Sequence, residues 1–212
     1  MMTILPSIAS ANQADLGGEI LRLGSHPFLH FDIEDGNFVP NITFGLKTVR
    51  ALRPLTSAAF DAHLMVTDPL PYISELLKLD FRAIAFHWES TGYPLRLIHA
   101  MQDGRSLAGI ALNPLTDCSV LTPYLDQLDY VLIMTSEPDG RGDQFQPHML
   151  EKVRQLHQLA PELSIVADGD INGERLSMLQ EAGASAAVMG RAIFSSPSPQ
   201  QAISQLYSKL QP

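Results

Sequence analysis

Cysteine is almost absent: Cys118 is the only one in 212 residues. No intramolecular disulfide can form, and a cysteine-rich zinc site is excluded. Long apolar runs are missing too, since no stretch approaches the roughly 18 apolar residues of a membrane span. The opening Met1–Pro6 has no basic segment followed by a long apolar one, so no signal peptide is expected, and a cytoplasmic location is. Positive charge is scarce, with 14 Lys and Arg against 23 Asp and Glu and a formal net charge of −9. Such a surface repels nucleic-acid phosphates and anionic lipid heads, so neither nucleic acid nor membrane is expected as a partner. A local cationic pocket for a small anion stays open. Low-complexity segments and linkers are also lacking.

What is present is a repeating unit. A short apolar run ends in polar residues, and an amphipathic stretch follows. The runs are Ile4–Ala9, Phe28–Ile33, Ala59–Val66, Ala83–Trp88, Leu107–Leu112, Tyr130–Met134, Leu163–Ala167 and Ala186–Met189, each of a length that suits a buried strand. Helical spacing appears between them, at Leu16, Ile20, Leu21 and Leu23, at Ile73, Leu76 and Leu77, at Met149, Val153, Leu156 and Leu159, and at Leu176, Leu179 and Ala182. Asp68-Pro69 reads as an N-cap followed by the first helical residue, and Gly183 as a C-cap. Strand then helix, eight times over, predicts an α/β fold, a (β/α)8 TIM barrel in one domain over residues 1–212. A doubly wound open sheet is the alternative. Both architectures keep their active sites at the carboxyl ends of the strands.

Chemistry-bearing residues gather at those ends. In Phe28-Leu29-His30-Phe31-Asp32-Ile33, strand alternation places His30 and Asp32 on one face and the apolar set on the other. The next strand repeats this, with Asp61, His63 and Met65 alternating with Phe60, Ala62 and Leu64. Later strands end at His87-Trp88-Glu89, Asn113-Pro114 and Asp168-Gly169. His30, Asp32, His63 and Asp168 would converge as two imidazoles and two carboxylates, a donor set for a divalent ion. Each residue also has an ordinary reading: a core histidine, a turn at Asp168-Gly169, a buried barrel polar group at Asp61. The pattern alone leaves the two readings level. His26, His99, His148 and His157 read as solvated, and His87 is unassigned.

These residues resemble the ribulose-phosphate 3-epimerase family. The resemblance rests on Pro6-Ser7-Ile8, on His30-Phe31-Asp32-Ile33-Glu34-Asp35-Gly36-Asn37-Phe38-Val39-Pro40-Asn41, and on His63-Leu64-Met65-Val66. Asn113-Pro114, Phe145-Gln146-Pro147, Asp168-Gly169 and Gly190-Arg191-Ala192-Ile193-Phe194 continue it in order. It implies a (β/α)8 barrel that binds one divalent metal ion (zinc, iron, manganese or cobalt) through His30, Asp32, His63 and Asp168. It also implies Asp32 and Asp168 as the acid/base pair, and a small sugar phosphate as substrate. Ser7, Met65 and Met134 match positions that line the substrate site, and Gly142, Gly169, Gly190 and Arg191 fall where the phosphate is held. A homo-oligomer is expected.

The implied reaction inverts C3 of a ketose phosphate, ribulose 5-phosphate, xylulose 5-phosphate or a related hexulose phosphate. One carboxyl group removes the proton beside the carbonyl and the other returns one to the opposite face, while a bound ion would stabilise the enediolate. Four segments depart from the family. Glu34 stands where Met is usual, and the glycine-rich loop is Glu137-Pro138-Asp139-Gly140-Arg141-Gly142-Asp143. Asp168-Gly169-Asp170 and Gly190-Arg191 replace Asp-Gly-Gly and Gly-Ser or Gly-Thr. A catalytically inactive sugar-phosphate-binding paralogue or structural subunit is the alternative function. A Schiff-base aldolase would need a strand-end lysine, and Lys47, Lys78, Lys152 and Lys209 all fall in helical stretches.

Overall fold

A computed structural model describes residues 2–138 and 144–210. Eight parallel strands form one sheet: β1 (Thr3–Pro6), β2 (Phe28–Glu34), β3 (Ala59–Met65), β4 (Phe81–His87), β5 (Leu107–Leu112), β6 (Tyr130–Met134), β7 (Ser164–Asp168) and β8 (Ala186–Met189). Their spatial order is β1-β8-β7-β6-β5-β4-β3-β2. A single parallel bridge, Ser7 to His30, joins β1 to β2 and nearly closes the ring. The expected (β/α)8 TIM barrel is therefore the observed one, and the open sheet is not.

The helices are α1 (Leu16–Arg22), α2 (Leu46–Leu52), α3 (Pro69–Leu77), α4 (Pro94–Asp103), α5 (Met149–Leu159), α6 (Gly173–Ala182), α7 (Arg191–Phe194) and α8 (Pro199–Tyr207). They are not spread one per strand. Between β5 and β6 the chain makes 3-10 turns at Cys118–Leu121 and Leu125–Gln127 in place of an α-helix. Pro114 and Pro123 interrupt that connection, and proline removes a backbone donor that a helix interior needs. The first apolar run is also shorter as a strand than expected, because Ile8–Ser10 is a 3-10 turn that drops Ile8 into the core.

Alternation along the strands makes two apolar layers. Leu29, Phe31, Phe60, Leu64, Ile84 and Ile133 point outward and pack with Val49, Ile73, Ile98 and Leu176 of the helices. Leu5, Ala83, Ala85, Tyr130, Leu132 and Val188 fill the barrel. Gly109 is required there, since a Cβ would sit 2.3 Å from Cζ of Tyr130. Asp61 is a buried barrel residue held by Arg82, whose Nε and Nη2 donate to its two oxygens at 2.9 and 2.5 Å.

The helix signals hold in part. Gly183 ends α6 in the left-handed region, at φ +105°. Asp68 precedes α3 but makes no capping hydrogen bond. A capping side chain bonds the N–H of the second or third helical residue, and Pro71 removes the third.

Candidate metal centre and substrate cavity

Register brings the predicted ligands together. Asp32 lies opposite His63 across β2 and β3, and Asp168 closes β7 beside Met134 of β6. One potential ligand atom from each of His30, Asp32, His63 and Asp168 lies within 4.8 Å of the others. His63 Nδ1 is 3.2 Å from Asp32 Oδ1 and 3.0 Å from Asp168 Oδ2. His30 Nε2 stands 3.4 Å from Asp32 Oδ1. His30 is buried, yet neither ring nitrogen has a hydrogen-bond partner among the described residues. A buried polar atom left unpaired is costly, and a cation beside the ring would use its lone pair. Two imidazoles and two carboxylates suit a first-row divalent ion, so these residues fit a metal centre.

The surroundings of the two carboxyl groups differ. Burial would raise the pKa of Asp32, but His30 and His63 outweigh it and hold the carboxyl well below the usual range. Asp168 moves the other way, raised by burial and by the charge of Asp32. Burial opposes a proton on His63, yet Asp168 and Asp32 raise its pKa to about 9.

A cavity of about 700 Å³ opens over the cluster, lined in part by Ser7, Asp32, Glu34, Met65, Met134, Ser136, Asp168, Gly190 and Arg191. Ser7 donates its hydroxyl to Asp32 Oδ2. Gly169 does not itself line the cavity; it stands between Asp168 and Asp170, which do, at φ +123°, where a Cβ would meet Ser136 N at 2.6 Å. Asp170 ties the far end together. Its Oδ1 accepts from Arg191 Nη2 at 2.6 Å, its Oδ2 accepts from Arg175 and its main-chain oxygen takes a further 2.5 Å bond from Arg175. Gly142, with Asp139, Arg141 and Asp143, lies outside the described residues.

Several neighbours had no assignment from the sequence. His87 is fully buried, with Nε2 2.8 Å from His63 Nε2 and Nδ1 3.2 Å from Glu89 Oε2. Burial pushes the His87 pKa down to about 4, against the pull of Glu89. Glu34 lines the cavity and accepts from Asn41 Nδ2 at 2.5 Å. Burial, with the charge of Asp32, raises its pKa to about 7. Inward alternation on β2 could have placed Glu34 in the site. Lys152 reaches back from α5, where Nζ donates to the carbonyls of Asn113 and Pro114 at 2.8 and 3.2 Å. His99, His148 and His157 are exposed as expected. His26 is not simply solvated: its ring bonds the Ile4 carbonyl at 3.0 Å, because α1 delivers it beside β1.

Fold and site together define a (β/α)8 barrel with a divalent-metal centre at the carboxyl ends of its strands. The family model described as the ribulose-phosphate 3 epimerase family matches residues 3–194. The chain belongs to the ribulose-phosphate 3-epimerase family. It is 36% identical to the ribulose-phosphate 3-epimerase of Bacillus subtilis, over 97% of this chain and 98% of that one. It is 37% identical to the Schizosaccharomyces pombe enzyme, covering 96% and 91%. The same identity holds against the cytoplasmic isoform of Oryza sativa, covering 96% and 92%. Among solved structures, orotidine 5'-phosphate decarboxylase from Pyrococcus horikoshii shares the fold at TM-score 0.68 and 14% identity, covering 98% of this chain and 99% of that one.

Proposed function

We propose that this chain inverts C3 of a ketose phosphate, with Asp32 and Asp168 as the proton-transfer pair. The observation that carries the reading is their placement. They come from β2 and β7, touch His63 from two directions and line one cavity. A ketose laid between them would offer one face of C3 to each carboxyl group, which two-sided proton transfer requires. Asp32 is oriented by Ser7, whose hydroxyl donates to Oδ2. Asp168 faces the same cavity from β7. A divalent ion held by His30, Asp32, His63 and Asp168 would supply Lewis-acid stabilisation of the negative charge that develops on the substrate oxygens. Met65 and Met134 give the reacting carbon an apolar wall. The substrate would lie along the cavity with its phosphate toward Gly190 and Arg191, near Gly169. A cytoplasmic homo-oligomer is the matching assembly.

Turnover in heavy water tests this. Protein loaded with zinc, iron, manganese or cobalt should put deuterium at C3 of ribulose 5-phosphate or a hexulose phosphate and leave C4 and C5 unlabelled by NMR. Asp32→Asn and Asp168→Asn should each remove most of that exchange. Full activity in either would overturn the assignment, and no exchange with any ketose would favour a binding paralogue.

One observation supports a second reading, in which the substrate lacks phosphate. Arg191 is engaged by Asp170 at 2.6 Å, and Glu34 and Glu137 add carboxylates to the wall. If Arg191 grips a phosphate, Arg191→Ala should raise KM for the phosphorylated substrate by about ten- to a hundredfold, since a charged hydrogen bond contributes about 1.5–3 kcal/mol. A higher kcat/KM for the free ketose than for its phosphate would favour the second reading.

A further inference from the structure

His63 presents one nitrogen to the metal centre and the other to a hydrogen-bonded chain that runs outward through buried His87 to Glu89 near the surface, and that the proton transfer does not use. Glu89 anchors that chain. Its Oε1 accepts from the Asn113 N–H at 3.1 Å and from the Thr116 hydroxyl, and its Oε2 lies 3.2 Å from His87 Nδ1. A carboxylate can only accept, so His87 Nδ1 must carry the proton. The neutral His87 ring then has a lone pair at Nε2, which lies 2.8 Å from His63 Nε2. His63 Nε2 must therefore donate, and the nitrogen left for a metal ion is Nδ1, the one beside Asp32 and Asp168. The Phe38 ring packs against His87, with ring centres 4.7 Å apart.

We propose that Glu89 and His87 are positioning residues that fix the tautomer and tilt of His63, so that Nδ1 faces the metal centre. A metal-bound imidazole commonly donates its second N–H to a carboxylate, and loss of that partner weakens metal binding about 10–100-fold. Here a second imidazole is inserted between ligand and carboxylate. The direction of every hydrogen bond in the chain is dictated from its far end, where a main-chain N–H fixes Oε1 as an acceptor. The inference rests on the metal centre and not on the substrate, so failure to find epimerase turnover would leave it standing.

Glu89→Gln inverts the chain with little change of shape. The Asn113 N–H keeps the amide oxygen on its own side, so the amide N–H turns to His87 Nδ1. His87 then donates from Nε2, and His63 loses its Nε2 proton. The experiment is zinc binding to metal-stripped protein by chelator competition, with nitrogen-15 NMR of labelled histidine. In zinc-loaded wild type, His63 should carry its one proton on Nε2. In Glu89→Gln that proton should be gone, and zinc should bind about 10–100-fold more weakly. Thr116→Val, which removes one anchor and reverses no bond, should bind zinc within about threefold of wild type. Wild-type affinity in Glu89→Gln, or zinc on Nε2 of His63 in wild type, would overturn the proposal. Should Glu89→Gln not fold, His87→Phe removes the acceptor and keeps a ring under Phe38, and unchanged zinc affinity there would overturn it equally.

Discussion

Asp35 shows how one side chain can hold a loop that frames the site. Its Oδ1 accepts from the N–H groups of Asn37 and Phe38, each at 2.8 Å. Its Oδ2 accepts from the N–H and hydroxyl of Thr67, both at 2.8 Å, and so ties the end of β2 to the end of β3. Burial opposes ionisation, but the donors of Thr67, Phe38 and Asn37 outweigh it and bring the pKa down from 3.8 to about 2. The folded value lies below the unfolded one, so the contribution is complete above about pH 4 and lost as pH falls through about 2. Asp35→Asn should cost about 1–3 kcal/mol at neutral pH by urea unfolding. The difference from wild type should shrink on acidification across that window, and a gap that stays constant from pH 5 to pH 2 would contradict the account. At this scale the site was half legible. His30, Asp32 and His63 follow from alternation within strands. Glu89 does not, because it lies past the end of β4 in a 3-10 turn, where no period of two applies.

Elements fit by exclusion as much as by attraction. On β5, Gly109 leaves room for the ring of Tyr130 on β6, and a Cβ there would approach three ring carbons at 2.3 to 2.6 Å. The ring is buried inside the barrel. Gly109→Ala should therefore destabilise the protein by about 1–3 kcal/mol. Tyr130→Leu in the same chain should recover part of that loss, which a double-mutant cycle in denaturant would measure, and strict additivity would show that the two side chains do not meet. The sequence announces β5 and β6 through their apolar runs. It does not announce that the chain between them is helix-poor, because Cys118, Val120, Leu121, Leu125 and Leu128 carry apolar spacing that suits either a helix or two short turns. Nor is the β1 boundary visible, since Ile8 is as apolar inside its turn as it would be in a strand.

For the whole molecule, the metal centre couples chemistry to stability. Its ligands come from β2, β3 and β7, so an ion bound there joins distant parts of the ring. An ion at a hundred times its dissociation constant adds about 2.7 kcal/mol to the folded state, provided the unfolded chain does not bind it. For a chain of this size that is a rise in Tm of about 5–10 °C. Calorimetry before and after chelation should show it, and His63→Ala should abolish the difference. An unchanged Tm on chelation of fully loaded protein would mean that the ion contributes nothing to the fold. The count and order of strands were readable because each buried strand is a short apolar run. Barrel and open sheet were not separable, because ring closure depends on β1 meeting β8, a pairing with no local sequence mark.

That same pairing sets a schedule. The β1 strand is made first, and its ladder partner β8 begins at Ala186. At roughly 5–20 residues per second of synthesis, on the order of ten seconds pass between the appearance of Asp32 and that of Asp168. From the appearance of His63 onward the nascent chain carries three of the four ligands, and its first strand still lacks its ladder partner. A cell making this protein must keep a half-built ring from pairing with its neighbours, and the last ligand arrives only shortly before the strand that closes the ring.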